Sequence, residues 1–312
     1  MNKNYSLYSV VIPVYNSEKI ILQTVNQIES TFKDNNLNYE LVLVNDCSTD
    51  NSWEIIKKMA TKNEKITAIN LLKNYGQHNA NMCGFRETQG DFIITIDDDL
   101  QNPPSEIIKL INKINDGYDL VIGQFKSKKH NLYRRLGSKF IGWLNRKIFN
   151  VKENLVLSNF RIANKDLIKR ICNDNSFNPY IPGLFLKYSS KRANVEVEHA
   201  ERYDGKSNYT LSKIFNLVLN LLFNHSSIPL KFGLIIGLFF SLTSFFASLY
   251  FLVSAIITGT SVPGWSSIVV ALSFFNGLLI LLISLIGQYI IRILSEVQSQ
   301  PTYQIIEKVR NE

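Results

Sequence analysis

Cross-linking chemistry is scarce in this 312-residue chain: it has three cysteines, Cys47, Cys83 and Cys172. Odd in number and without CxxC spacing, they build neither a disulfide framework nor a zinc site, and they imply a reducing compartment. The opening stretch MNKNYSLYSVVIPVYN has no apolar run long enough for a signal peptide and passes directly into a strand. No G-x-G-x-x-G follows that strand, and no G-x-x-x-x-G-K-[ST] occurs. Dinucleotide oxidoreductases and P-loop enzymes are therefore disfavoured. There is no arginine-rich arm and no nucleic-acid motif, so the net charge of +8 is expected to meet an anionic membrane surface rather than nucleic acid.

Charge is also missing from two long runs. FGLIIGLFFSLTSFFASLYFLVSAII (232–257) and IVVALSFFNGLLILLISLIGQYII (268–291) carry none. A bilayer core needs roughly 20 apolar residues in a helix, so both are expected to span, with a pair of buried core helices as the alternative. Between them TGTSVPGWSS, with Pro263 and Gly264, reads as a tight connection and makes the pair a hairpin. Lys206, Lys213 and Lys231 precede it, and Arg292, Lys308 and Arg310 follow it. The positive-inside rule then places both flanks, and the N-terminal domain with them, in the cytoplasm. In the stretch before the hairpin, Leu211, Ile214, Phe215, Val218, Leu221 and Leu222 fall on one helical face. That face suits a helix lying in the membrane interface, or an ordinary core helix. Gly233, Gly237, Ser241 and Ser244 space another face with small side chains, which admits a homo-oligomer.

The first 200 residues alternate strand-like and helix-like segments. YSVVIPVYN is followed by a helical pattern with Ser17 or Asn16 as its N-cap. YELVLVNDCSTD, KITAINLLKN, DFIITIDDD and YDLVIGQF are further strands, with helices between them, one of which opens on Pro103 and Pro104. Near-continuous apolar strands alternating with helices predict an α/β fold with a mostly parallel sheet covered on both faces. Ligands bind such sheets at the carboxyl ends of the strands. Three polar clusters sit there: PVYNSE, VNDCSTD and IDDDLQ. In an extended chain Asp97 and Asp99 share one side and Asp98 takes the other. Stacked carboxylates call for a divalent cation, with a solvated acidic turn as the alternative.

In order and spacing, VVIPVYNSE, LVLVNDCSTDNS, LLKNYGQHNA and GDFIITIDDDLQNPP resemble the family 2 glycosyltransferases of GT-A fold. RRLGSKFIGWLN and RYDGKSNYTLSKIFNL, followed by the two apolar runs, narrow the resemblance to polyprenyl-phosphate glycosyltransferases. That group includes dolichol-phosphate mannose synthases and bacterial undecaprenyl-phosphate glucosyl and aminoarabinosyl transferases. The resemblance implies that Pro13, Tyr15, Glu18 and Asp46 hold the nucleoside of a nucleotide-sugar donor. It implies that Asp97, Asp99 and Gln101 hold Mg²⁺ or Mn²⁺ and the diphosphate, with Asp98 facing the sugar or a basic group. For the polyprenyl phosphate acceptor it points to Arg134 and Ser138, supported by Arg202 and Lys206. A solvated basic face resting on anionic lipid is the alternative for the arginines.

The chain departs from the family at LSNFRIANKD: Asn159 stands where many relatives carry an aspartate proposed as catalytic base. A phosphomonoester acceptor, with a second pKa near 6, needs orientation rather than a base, and Asn159 and Arg161 can supply it. A hydroxyl acceptor would need a base. Gln288 is a second, lesser departure, and no QxxRW signature of polymer synthases is present. The expected organisation is a cytoplasmic catalytic domain (1–207), an interfacial helix region (208–231), the two-helix hairpin (232–291) and a cytoplasmic tail (292–312). The expected function is inverting, metal-dependent sugar transfer to undecaprenyl phosphate at a bacterial inner membrane. The rival is transfer to a hydroxyl of a lipid-linked glycan or glycolipid.

Overall fold

The computed structural model describes residues 6–125, 142–149, 151, 155–174, 179–198, 200, scattered positions between 219 and 257, 264–297 and 303–311. The chain divides into two compact units, 1–208 with 299–312, and 209–298.

The first unit is built on an eight-stranded sheet in the order β7-β5-β6-β4-β1-β2-β3-β8. Its centre is parallel. β1 (Leu7–Val14) lies between β2 (Asn38–Asn45) and β4 (Phe92–Thr95), with Val10 opposite Leu41 on one side and Ile94 on the other. These strands are buried along nearly their whole length, as their unbroken Val/Ile/Leu runs require. The alternation of a strand divides the core between the two faces. Tyr8, Val10, Ile12 and Val14 join one cluster, beneath α1 (Ile21–Asp34), α2 (Ser52–Lys62) and, after a 3-10 turn at Pro104–Glu106, α4 (Ile107–Ile114). Val11 joins the other, beneath α3 (Gln77–Glu87), α5 (Lys165–Cys172) and α6 (Ile181–Tyr188). α3 presses on the sheet through Gly84, where an added Cβ would sit 2.3 Å from a methyl of Val11.

β3 (Ile66–Leu71) extends the parallel set beside β2. On the other side β6 (Arg161–Asn164) runs antiparallel between β4 and β5 (Leu120–Phe125), and β7 (Arg192–Val197) pairs parallel with β5. The chain leaves β1 toward β2 on one side and reaches β4 on the other. The boundary between β1 and β4 is therefore a topological switch point, where such sheets open a ligand crevice.

Two expectations need correction. Ser17 and Asn16 do not cap α1: the helix begins at Ile21 after a turn whose Ile20 and Ile21 amides donate to the Ser17 carbonyl. The Ser17 and Asn16 side chains are drawn into longer-range bonds instead. Nor is 292–312 only a tail. Ile305–Arg310 forms β8, which pairs antiparallel with β3 and ends the sheet.

The second unit contains α7 (Trp265–Val297), a helix of 33 residues that includes the second expected membrane segment. The segments 208–231 and 232–257 lie mostly outside the described residues. Among the described residues taken alone, no helix is long and apolar enough to cross a membrane.

Candidate active site

The site is assembled where β1, β2, β3 and β4 end. Asn16 and Cys47 take positive φ values of 53° and 56° in the turns leaving β1 and β2. The Asn16 side-chain oxygen accepts from the Thr49 amide at 2.8 Å, and its own amide donates to Ser48 Oγ at 3.0 Å. Glu18 and Asp50 exchange backbone bonds reciprocally, each 3.0 Å: Glu18 accepts from the Asn51 amide and Asp50 from the Glu18 amide. The β1–α1 and β2–α2 turns are thereby fastened side by side. Tyr15 remains 50% exposed at the rim, while Pro13 is buried in β1.

Asp46, expected at the nucleoside, stands at the end of β2. It is 4% exposed, and its two oxygens accept from the amides of Tyr75 and Gly76 at 2.7 and 2.8 Å. Burial raises its pKa, and those two amides oppose the rise. Asp46 thus fixes the β3–α3 loop, in which Gly76 takes a φ of +83° at the start of α3.

The three acids diverge. β4 ends at Thr95, and Leu100 turns the chain with a φ of 54°. Asp97 Oδ1 accepts from Asn159 Nδ2 at 2.9 Å and from Gln77 Nε2 at 2.6 Å. Asp98 turns toward the β1 loop, where it accepts from the Ser17 hydroxyl and from the Tyr15 amide at 3.4 Å. The Asp98 carbonyl accepts from Thr24 Oγ1 at 2.8 Å. Asp99 Oδ1 accepts from the Gln101 amide at 3.2 Å. Burial raises Asp97 above the usual carboxylate range; the Asn159 amide opposes this and the Asp99 charge adds to it. Burial likewise pushes Asp98 up to about 7, against the Ser17 hydroxyl.

Asn159 joins Asp97 to a buried cation. Its side-chain oxygen accepts from Arg161 at 2.5 Å. Arg161 is 1% exposed, donates to Thr95 Oγ1 at 3.2 Å and stacks 4.7 Å from the Phe185 ring centroid. Burial lowers its pKa to about 10, and the Asp97 charge works the other way. Such a cation is tolerated because Asp97 answers it through one amide.

Among the described residues no group of three or more His, Cys, Asp or Glu side chains is placed to hold a metal. That donor set still fits a hard divalent ion, which is commonly held by one or two carboxylates together with substrate phosphates. Asp97 Oδ2 receives no hydrogen bond among the described residues, which leaves a carboxylate oxygen for the purpose.

The sequence points to Pro13, Tyr15, Glu18, Asp46, Asp97, Asp98, Asp99, Gln101, Asn159 and Arg161, and the structure brings them to one edge. It missed Thr24, Gln77 and Thr95 and took Ser17 only as a cap; Ser17, Gln77 and Thr95 lie within the motifs VVIPVYNSE, LLKNYGQHNA and GDFIITIDDDLQNPP, and Thr24 lies outside them. Arg134, Ser138, Arg202 and Lys206 lie outside the described residues. Just before the last two, the Glu198 amide donates to Glu106 and the Ala200 amide to the Gln101 carbonyl, both at 3.0 Å.

The family model for Glycosyl transferase family 2 matches residues 9–180. The undecaprenyl-phosphate 4-deoxy-4-formamido-L-arabinose transferase of Shewanella sediminis (strain HAW-EB3) is 33% identical over 307 residues, 97% of this chain and 93% of that protein. The enzyme of the same name from Proteus mirabilis (strain HI4320) is 33% identical over 304 residues, 96% and 93%. Among solved structures, glucosyl-3-phosphoglycerate synthase from Mycobacterium tuberculosis, in complex with Mn²⁺, UDP and phosphoglyceric acid, has a TM-score of 0.49 at 17% identity, covering 71% of this chain and 78% of that one.

Proposed function

This chain belongs to glycosyl transferase family 2, with a GT-A type α/β fold, and from that premise we propose that it transfers a sugar from a nucleotide-sugar to undecaprenyl phosphate. The likeness over 97% of the chain to a transferase named for that acceptor is the observation that carries the reading. The site geometry is consistent with it. Tyr15 and Glu18 line the donor end, with Asp46 holding the loop beside them. Asp97, Asp99 and Gln101 meet the diphosphate.

Mg²⁺ or Mn²⁺ held by Asp97 and Asp99 would offset the charge of the departing nucleoside diphosphate. A phosphate oxygen of the lipid attacks the anomeric carbon in line, opposite the nucleotide, and the configuration inverts. That oxygen is already anionic near neutral pH, so no side chain has to remove a proton. Position 159 agrees: its amide donates to Asp97 and offers no base. Arg134, Ser138, Arg202 and Lys206 supply donors and positive charge for the lipid phosphate.

The remainder of the chain serves the acceptor. The 24 uncharged residues of 268–291 would extend about 36 Å as a helix, enough for a hydrocarbon core of about 30 Å. The other uncharged run, 232–257, is of similar length in sequence, and such a pair suits an acceptor carried on a lipid. Basic flanks put the catalytic domain on the cytoplasmic face of the bacterial inner membrane, where the product feeds a surface glycan.

The test is sugar transfer by the purified chain in detergent with undecaprenyl phosphate, Mg²⁺ or Mn²⁺, and labelled UDP-, GDP- and dTDP-sugars. A chloroform-soluble sugar phosphate, lost with EDTA and with Asp99→Ala, is expected. Labelling of a lipid-linked glycan, with no sugar phosphate formed, would replace this reading by hydroxyl transfer.

A further inference from the structure

Gln77 has no role in the reading above, yet it touches the acid pair directly. It is the first residue of α3 and is exposed, so packing does not explain where its side chain points. Its Nε2 nevertheless donates to Asp97 Oδ1 at 2.6 Å, the same oxygen that accepts from Asn159 at 2.9 Å. A carboxylate oxygen has two lone pairs, and two amide donors use both.

The backbone that delivers Gln77 is fastened on every side. Asp46 holds the amides of residues 75 and 76, and Asn79 Nδ2 donates to the Tyr75 carbonyl at 2.7 Å. The Gly76 carbonyl starts the helix by accepting from the amides of Asn79 and Ala80 at 3.0 and 3.1 Å. The carboxylate at the end of β2 is thus linked to the carboxylate after β4 through one loop and one side chain.

We infer that Gln77 is a positioning residue for the acid pair: together with Asn159 it occupies Asp97 Oδ1 and leaves Oδ2 as the oxygen offered to the donor diphosphate and its cation. The inference rests on the donor and metal reading proposed above. It gives the NYGQ stretch a task. Two neutral donors turn the carboxylate without adding charge to a crowded acid cluster. Gln77 acts through Asp97 and takes no part in the bonds made or broken.

The test is binding, free of turnover. The full chain in detergent is titrated with Mn²⁺ alone, followed by electron paramagnetic resonance, and with UDP and GDP at fixed Mn²⁺. Gln77→Met keeps the length and helix preference of the side chain but removes the donor. It is expected to raise the Mn²⁺ concentration for half-maximal nucleotide binding about tenfold, as for loss of one hydrogen bond to a charged group. Metal-free nucleotide binding and the melting temperature should stay unchanged. In an Asp97→Asn background the same change should cost less than twofold, because its route is already cut. Unchanged metal dependence in Gln77→Met, or losses that multiply in the double variant, would overturn the inference. Binding of neither nucleotide by the unaltered chain with Mn²⁺ would overturn the donor reading itself, and this inference with it.

Discussion

Asn159 separates two chemistries. If the acceptor is a phosphate, Asn159→Asp adds a base with nothing to deprotonate and places a second carboxylate beside Asp97. Turnover should then stay level or fall by up to about tenfold. If the acceptor is a hydroxyl, the same change should raise turnover by about 10²-fold or more, the usual worth of general base catalysis. Steady-state rates with one donor decide between them. A second residue tests the scaffold instead. Burial alone would raise Asp119, but the Ser190 hydroxyl and the amides of Lys191 and Ser190 outweigh it and hold the carboxyl at about 2. A depressed carboxylate contributes stability above its unfolded pKa of about 3.9, and that contribution is lost as pH falls through the folded value. Asp119→Asn should therefore cost about 1 kcal/mol at pH 7 in denaturant unfolding. Its deficit against the unaltered chain should shrink between about pH 4 and pH 2. Residue identities at strand ends were readable because few other places in such a fold concentrate acids after an apolar run. Their partners were not. Ser17 looks like a cap in sequence, yet its hydroxyl serves Asp98, 81 positions away. Asp46 reads as a ligand group, and nothing in the sequence marks the two backbone amides that also bind its oxygens.

At the scale of elements, the central strands declared themselves through burial on both faces. β6, β7 and β8 did not, because each pairs only with chain distant in sequence, and β7 and β8, at the sheet edges, lack an unbroken apolar run. β8 is the clearest case: the adjacent Ile305 and Ile306 give no alternation that marks a strand, and pairing with β3 makes it one. It is held there by the Leu72 amide donating to the Gln304 carbonyl at 2.9 Å, by ion pairs from Lys308 to Glu87 and Lys57 to Glu307, and by Arg86 stacking on Tyr303. Removing 299–312 exposes the β3 edge. The truncated chain is expected to melt lower and to aggregate, and differential scanning with light scattering checks both. The approach of α3 to β1 offers a sharper probe. Gly84→Ala forces a methyl into Val11. It should cost about 1–3 kcal/mol by overpacking and weaken Mn²⁺-dependent nucleotide binding, since the same helix carries Gln77.

For the whole molecule, the catalytic sheet is completed by the segment that follows the apolar unit, so residues from both ends of the chain contribute to it. The long uncharged stretches were legible, because loss of charge over long runs is a one-dimensional signal. The return of the chain to β3 was not legible, since nothing local announces it. The central claim is that the acceptor atom is a phosphate oxygen. The most direct measurement is competition: one labelled donor offered to undecaprenyl phosphate and to undecaprenol in the same detergent, with the products separated by charge. The account predicts label only in a sugar linked through phosphate. Label in neutral glycosyl-undecaprenol would contradict it.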